Sequence, residues 1–364
     1  MPPPVEPAVL WHSHELLFGF TSAAIGGYLL TALPSWTGLA PLQGGLLQGL
    51  VLLWALARLA TGFAYSMSLP LLLVANAGYF LLLAAILLWK ILLTRTYPKL
   101  GFVGAVLGLG LCDAFFLGAM VTGRPWISLF IAQMVVTGIT LLIVNIAGRA
   151  IPAFTRNWLS QTPDAHLVAN DGLFAGRLAL VLLTLAMIAR LAVWPIVTNV
   201  ALIAAALALL GMMRGWQTLT VRRNPLLAAL HLAFLWVPVG LGAIGFLGLY
   251  PEVYPLADAL HSLTIGAMLG LVMAIAVRAA ARRRKEHMHV GRGFIIGSTA
   301  IWLRLAAPLT PNFGLVNAAA ILWCFGWVAF TLGFRPALIG PAIRPILSGK
   351  KHDHQQDSNK RNTQ

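Results

Sequence analysis

Residues 173–213 read LFAGRLALVLLTLAMIARLAVWPIVTNVALIAAALALLGMM, an apolar stretch whose only charged residues are Arg177 and Arg190. A transmembrane helix needs about 20 mostly apolar residues, because it rises 1.5 Å per residue through a hydrocarbon core of about 30 Å. The stretch is long enough for two such helices, and Trp194-Pro195 with Asn199 marks a tight turn between them. These residues therefore predict a helical hairpin in a membrane.

The rest of the chain repeats this pattern of apolar runs. Hydrophobic residues make up 59% and charged residues only 10% of the 364 residues, against about 25% charged residues in soluble domains. The mean hydropathy is +0.84. Because helices satisfy their own backbone hydrogen bonds in lipid, we predict an all-α, polytopic transmembrane bundle of about 11 helices. The predicted spans are 15–36, 42–63, 68–93, 100–121, 126–151, 173–194, 196–213, 226–250, 255–277, 294–307 and 315–334.

The basic residues predict the orientation of the bundle. With these spans, the 25 lysines and arginines all fall on one side, except for Arg58, Arg124, Arg190 and Arg304. Short cytoplasmic loops are enriched in such residues. We therefore expect a periplasmic amino terminus, a cytoplasmic carboxyl terminus and residence in the bacterial inner membrane. The formal net charge of +15 is then a topogenic signal, and we expect no nucleic-acid partner.

Three parts are predicted along the chain. Residues 1–13 form a short periplasmic segment, residues 14–335 the transmembrane bundle and residues 336–364 a basic, disordered cytoplasmic tail. Cys112 and Cys324 stand alone in apolar runs, which excludes a cysteine-ligated cluster. Motifs typical of hydrolases, NTPases and nicotinamide enzymes are missing from the sequence, so any redox chemistry would depend on a bound cofactor.

Ionisable side chains recur at a similar predicted depth in several spans. Such groups are costly inside a bilayer and mark ion pathways, cofactors or paired networks. Two interpretations stay open: salt bridges between helices, for instance Asp113 with Arg58 or Arg190, and balance of anionic groups such as haem propionates by the arginines. The residues concerned lie toward the periplasmic side of the predicted bundle and are His12, His14, Glu15, Arg58, Asp113, Arg190, Asp258, His261 and Arg304.

His12-Ser13-His14 is a candidate metal site. Residues two apart point to opposite sides of an α-helix but to the same side of an extended segment, so these imidazoles chelate one ion only if the helix begins after them. Imidazole ligands suit copper, iron or zinc, and copper is favoured by intrinsic affinity and by Met120 as a soft neighbour if it lies close. The alternative interpretation is ordinary polarity at the membrane interface.

His231 and His261 stand among apolar residues in two other predicted spans. Each is either a packing residue or a ligand. Asp258 precedes His261 by one turn, where it could fix the tautomer of the imidazole. His231 enters from the cytoplasmic end of its span, which leaves the two histidines roughly 12 Å apart along the membrane normal. They are therefore not expected to be the two axial ligands of one haem.

Two blocks near the amino terminus resemble a known family. Residues 11–20 read WHSHELLFGF and residues 27–38 read GYLLTALPSWTG. With GRAIPAFTRN at 148–157, LHLAFLW at 230–236 and LHSLTIGAM at 260–268, they closely resemble the NnrS family, bacterial membrane proteins linked to nitric oxide metabolism and described as containing haem and copper. Family members usually carry a further helix before the first block, so either the expected spans are the family pattern without its first helix, or the true start of the protein lies upstream.

The resemblance implies a role in denitrification or in resistance to nitrosative stress. The leading hypothesis is a haem- and copper-binding inner-membrane protein, in which His12 and His14 hold copper, His261 is a copper or haem ligand and His231 is a separate haem ligand. Arg58, Arg190 and Arg304 would balance anionic cofactor groups. The expected partners are the lipid bilayer, nitric oxide or a related nitrogen species, and a respiratory complex.

Two alternative functions are open, as is the question of whether the protein is an enzyme. The first is a secondary transporter of a small anion such as nitrite, with the arginines lining its path. The second is a maturation or assembly partner of a denitrification or respiratory complex, which would bind without turnover.

Overall fold

A computed structural model describes residues 7–162, 169–284, 291–310 and 314–339. These residues are mainly helical and contain no strand. Among them, ten helices are long and apolar enough to cross a membrane, and Phe294–Leu309 is a shorter apolar helix outside that count. The predicted all-α, polytopic bundle is confirmed, and the orientation of its termini stays a prediction.

The spans are named here in chain order. They are α1 (Ala8–Thr37), α2 (Gly45–Gly62), α3 (Leu69–Leu93), α4 (Leu100–Val121), α5 (Pro125–Leu159), α6 (Leu173–Leu191), α7 (Pro195–Arg214), α8 (Pro225–Leu249), α9 (Leu256–Ala280), α10 (Gly291–Ala306) and α11 (Gly314–Gly333). Short helices lie at Tyr97–Lys99, Thr218–Val221, Ala307–Leu309 and Arg335–Ile339.

The hairpin predicted from residues 173–213 is formed by α6 and α7. The turn between them contains Val193, whose φ of 57° is left-handed, and Pro195 occupies the first turn of α7. Proline suits that position because its missing N–H is unpaired there in any helix. The local chemistry of the turn therefore accounts for the break in a nearly continuous apolar run.

Two spans contain a π-helical segment, and in each a motif histidine precedes it. In α1, His14 is followed by the π segment Glu15–Phe20, and in α9, His261 is followed by the π segment Ser262–Leu269. A π segment changes the direction in which the following side chains face, and such segments are frequent at functional sites.

The chain divides into two compact units within α5, after Val135. In the first unit, buried side chains of α1 and α3 pack together, among them Leu29, Leu33, Tyr79 and Leu83. The Tyr79 hydroxyl donates to the backbone oxygen of Ser22 at 2.9 Å. This bond is formed between helices, so it fixes the position of α3 against α1.

In the second unit, glycines let α8 approach its neighbours closely. A Cβ on Gly240 would lie 2.7 Å from Leu263 of α9, and a Cβ on Gly245 would lie 2.6 Å from the backbone oxygen of Asn199 on α7. Small residues of this kind let helices pack closely in a membrane. Close packing matters there because apolar side chains gain little when they exchange contact with lipid for contact with another helix. Helices α8 and α9 accordingly have the largest share of buried residues among the candidate spans of this unit.

Helices cross both of the borders that the sequence predicts for the bundle. Helical turns already begin at Pro7, within the predicted periplasmic segment 1–13. At the other end, the helix Arg335–Ile339 extends into the predicted tail. Residues 340–364, which make up the rest of that tail, lie outside the described residues.

Candidate functional site

His14 is completely buried in the first unit, and each of its ring nitrogens faces a carboxylate. Nε2 lies 2.6 Å from Oδ1 of Asp113 on α4, and Nδ1 lies 3.2 Å from Oε1 of Glu15. An ionised carboxylate can only accept hydrogen bonds. With both carboxylates ionised, the His14 ring must donate from both nitrogens and is therefore an imidazolium.

Arg58 extends this network from α2. Its Nη1 donates to Oε1 of Glu15 at 2.7 Å, and its Nη2 donates to Oδ1 of Asn76 on α3 at 3.1 Å. The hydroxyl of Thr61 lies 3.3 Å from the same Asn76 oxygen. The Nε of Arg58 is buried and finds no acceptor among the described residues. The predicted interhelical salt bridging is therefore present, but Arg58 pairs with Glu15, and His14 takes the place predicted for an arginine beside Asp113.

In this protonation state the charges of the network balance. Two carboxylates, Asp113 and Glu15, then face two cations, the doubly protonated His14 ring and the Arg58 guanidinium. Buried charges are tolerated when they are paired and hydrogen-bonded. Gly19 makes room for the arrangement, because a Cβ there would lie 2.6 Å from Nη1 of Arg58. The WHSHELLFGF block thus supplies two members of the network, His14 and Glu15, and at Gly19 the space that Arg58 requires.

The predicted copper site at His12 and His14 depended on a helix that begins after both residues. That expectation is wrong, because the helix includes both histidines. At this spacing the two rings point to nearly opposite sides of α1, and His12 is exposed while His14 is buried. A shared ion would require this turn to unwind and His14 to leave its carboxylate partners, so the pair as arranged does not fit copper. Met120 is buried in α4.

His231 is buried in the second unit between two threonines. Its Nε2 lies 3.0 Å from the Thr155 hydroxyl and its Nδ1 lies 3.0 Å from the Thr218 hydroxyl. The Thr155 hydroxyl donates to the backbone oxygen of Ile151, so it accepts from Nε2–H, and Thr218 then donates to Nδ1. Both ring nitrogens are used within the protein, and this arrangement does not fit the predicted role of His231 as a haem ligand.

His261 has a different arrangement at the start of α9. Its Nδ1 lies 3.0 Å from the backbone oxygen of Ala257, and since a carbonyl only accepts, Nδ1 carries the proton. In the neutral ring the lone pair is then on Nε2, as in many metal-binding histidines, whose other nitrogen is bonded to a carbonyl. The backbone of Ala257 thus holds the tautomer, and Asp258, which the sequence suggested for this role, is paired with Arg304 of α10.

A mostly apolar cleft of about 310 Å³ lies beside this end of α9. Ala259 and Ser262, on either side of His261 in sequence, contribute to its wall, and Tyr254 closes part of it by donating to the backbone oxygen of Leu305 at 2.8 Å. His261 itself is not in the wall. The other predicted arginine, Arg190, is half-buried near the end of α6.

Within the described ranges, no three histidine, cysteine, aspartate or glutamate side chains come together as a group that could hold a metal ion. The first unit contains His12, His14 and Arg58, and the second contains Arg190, His231, His261 and Arg304. Sequence reasoning missed the neutral partners Asn76, Thr155 and Thr218. For Thr155 a signal existed, because it lies in the quoted block 148–157.

The fold and these buried polar clusters define a multi-pass helical membrane protein with hydrogen-bonded charge networks inside its bundle. The sequence model of the NnrS protein matches residues 1–342. The chain therefore belongs to the NnrS family. No curated protein and no solved structure matches it.

Proposed function

We propose that this protein acts in the nitric oxide response as a haem- or copper-dependent protein of the bacterial inner membrane. Family membership suggests the nitric oxide context. His261 is the proposed ligand of the metal. The observation that supports this choice is the hydrogen bond from its Nδ1–H to the backbone oxygen of Ala257. That bond holds the ring so that Nε2 has the lone pair that a metal requires.

The surroundings of His261 support this role. The ring lies at the beginning of a π segment, and the Asp258–Arg304 ion pair ties this start of α9 to α10. Both partners of that pair are largely buried, with side chains 19% and 17% exposed. A ligand positioned from a rigid helix start keeps its direction better than one on a free loop. When bound, a haem or copper centre would supply the redox chemistry and the affinity for nitric oxide.

The arginines contribute less to this proposal than the sequence predicted. Arg58 and Arg304 are each already paired with a carboxylate of the chain. To balance an anionic group of a cofactor, either would have to give up that carboxylate. Arg190 lies half-buried near the end of α6, and its role as a counter-charge is a proposal from the sequence.

The proposal is tested on the full-length protein purified in detergent. We expect a Soret absorption band, copper by elemental analysis, or both, and we expect His261→Ala to lose that group. Thr264→Ala is the matched control, since its hydroxyl also lies close to a backbone oxygen one turn earlier, that of Leu260. His231→Ala should lower stability while the folded fraction keeps the group. His12→Ala tests the remaining copper prediction separately.

Other outcomes would favour the alternatives. A wild-type protein with neither haem nor copper, in cells whose nitric oxide sensitivity does not depend on His261, would overturn the proposal. Uptake of nitrite into vesicles by metal-free protein would favour an anion transporter. Stable co-purification with an oxidase or nitric oxide reductase would favour an assembly partner.

A further inference from the structure

A small, partly open cavity lies in the second unit. Its volume is about 20 Å³, which is room for roughly one or two non-hydrogen atoms. Side chains and backbone of α8, α9, α10 and α11 form its wall. The wall includes Trp236, Gly266, Met273, Gly297, Ser298 and Trp323.

Two glycines of this wall differ in how much space surrounds them. Gly266 belongs to the π segment of α9, and Trp236 of α8 covers it so closely that a Cβ on Gly266 would lie 2.5 Å from the indole Cγ. Across the cavity, Gly297 of α10 is less crowded. A Cβ there would lie 3.5 Å from Cε of Met273 and 3.9 Å from the ring of Trp323, so the missing methyl group of Gly297 corresponds to open volume.

The chemistry of the wall favours an apolar occupant. A buried water makes about three hydrogen bonds. Among the described residues, the side-chain polar groups in this wall are the Ser298 hydroxyl and the indole N–H groups of Trp236 and Trp323. The Ser298 hydroxyl already donates to the backbone oxygen of Phe294 at 2.7 Å. The other wall side chains are aliphatic, aromatic or thioether groups, which gain dispersion energy from any small molecule that fills the gap.

We propose that this cavity binds a small, nearly apolar molecule of the size of a dissolved diatomic gas. Size and wall chemistry together carry this assignment. Nitric oxide belongs to this class of molecule, and its identification as the natural occupant rests on the proposed function. The binding site itself is inferred from the cavity alone and does not depend on the proposed function.

Xenon is the probe, because it is apolar and similar in size to a small gas molecule. Crystals of the full-length protein are pressurised with xenon, and its anomalous density is located. We expect a xenon peak between Trp236, Met273 and Trp323. Gly297→Ala should reduce the occupancy at this position at least five-fold, since its methyl group enters the cavity without touching backbone. Gly242→Ala is the matched control, because its Cβ would make an ordinary 3.6 Å contact with Ala206 outside the cavity.

Three results would overturn the inference: no xenon at this position in the wild-type protein, equal occupancy in Gly297→Ala, or acyl-chain density in place of xenon. Should Gly297→Ala fail to fold, Met273→Phe fills the cavity from the opposite side and must give the same loss. Xenon binding is measured without metal, haem or nitric oxide. A failure here therefore leaves the cofactor proposal intact, and a protein without cofactor leaves the cavity result intact.

Discussion

The imidazole of His14 and the carboxylate of Asp113 lie 99 residues apart in the sequence, yet their Nε2 and Oδ1 atoms are 2.6 Å apart. Both side chains are almost completely buried, with exposures of 0% and 1%. The contact joins α1 to α4, and through Glu15 and Arg58 the same network reaches α2 and α3. Through His14 and Glu15, the WHSHELLFGF block therefore links four helices of the first unit.

Replacing Asp113 by asparagine should destabilise the protein strongly. The amide keeps the size and the acceptor oxygen, but the imidazolium of His14 loses its main counter-charge in a buried position. Removing one partner of a buried ion pair costs about 3–5 kcal/mol. Thermal unfolding in detergent should show this loss, and Asp258→Asn should cost less because the Asp258–Arg304 pair is more exposed. An equal or smaller effect of Asp113→Asn would contradict the charge-balanced network.

Gly19→Ala should disturb the same network without changing its charges. The new Cβ would lie 2.6 Å from Nη1 of Arg58 and 3.1 Å from Oε2 of Glu15, so the guanidinium must move away from its acceptors. We expect a loss of about 1–3 kcal/mol in the free energy of unfolding. Gly27→Ala on the same helix is the control, since nothing lies within 4 Å of its Cβ. If both variants unfold at the same temperature, the proposed close fit at Gly19 is wrong.

Much of the fold could be predicted from composition, but the contacts of the site could not. A helix in lipid is determined by the length of its apolar run, so the spans followed from local sequence. The partner of Asp113 depends on which helices are neighbours and on which side each residue faces. The π segments after His14 and His261 change the direction in which the following side chains face, and no pattern in the local sequence indicates them. The sequence also did not predict that His12 is helical.

Thr155→Val should show that His231 has a structural role. The substitution removes the hydroxyl that lies 3.0 Å from Nε2 of His231, leaving a buried N–H without its acceptor, which costs about 1–3 kcal/mol. Thr184→Val is the matched control: its hydroxyl also donates to the backbone oxygen four residues earlier, but the residue is exposed. Urea or thermal unfolding of both variants gives the comparison. Equal stabilities would indicate that the His231 contact contributes nothing.

Gly245→Ala should separate α8 from α7 and destabilise the second unit. A Cβ at Gly245 would lie 2.6 Å from the backbone oxygen of Asn199 and 2.8 Å from Cγ1 of Ile203, and a backbone atom cannot rotate away as a side chain can. Alanine is otherwise the better helix residue by roughly 0.5–1 kcal/mol, so crowding and propensity oppose each other. Gly211→Ala on α7 isolates the propensity, because nothing lies within 4 Å of its Cβ. We expect Gly211→Ala to unfold at or above the wild-type temperature and Gly245→Ala several degrees below it. A stabilising Gly245→Ala would mean that the two helices are not in close contact at this position.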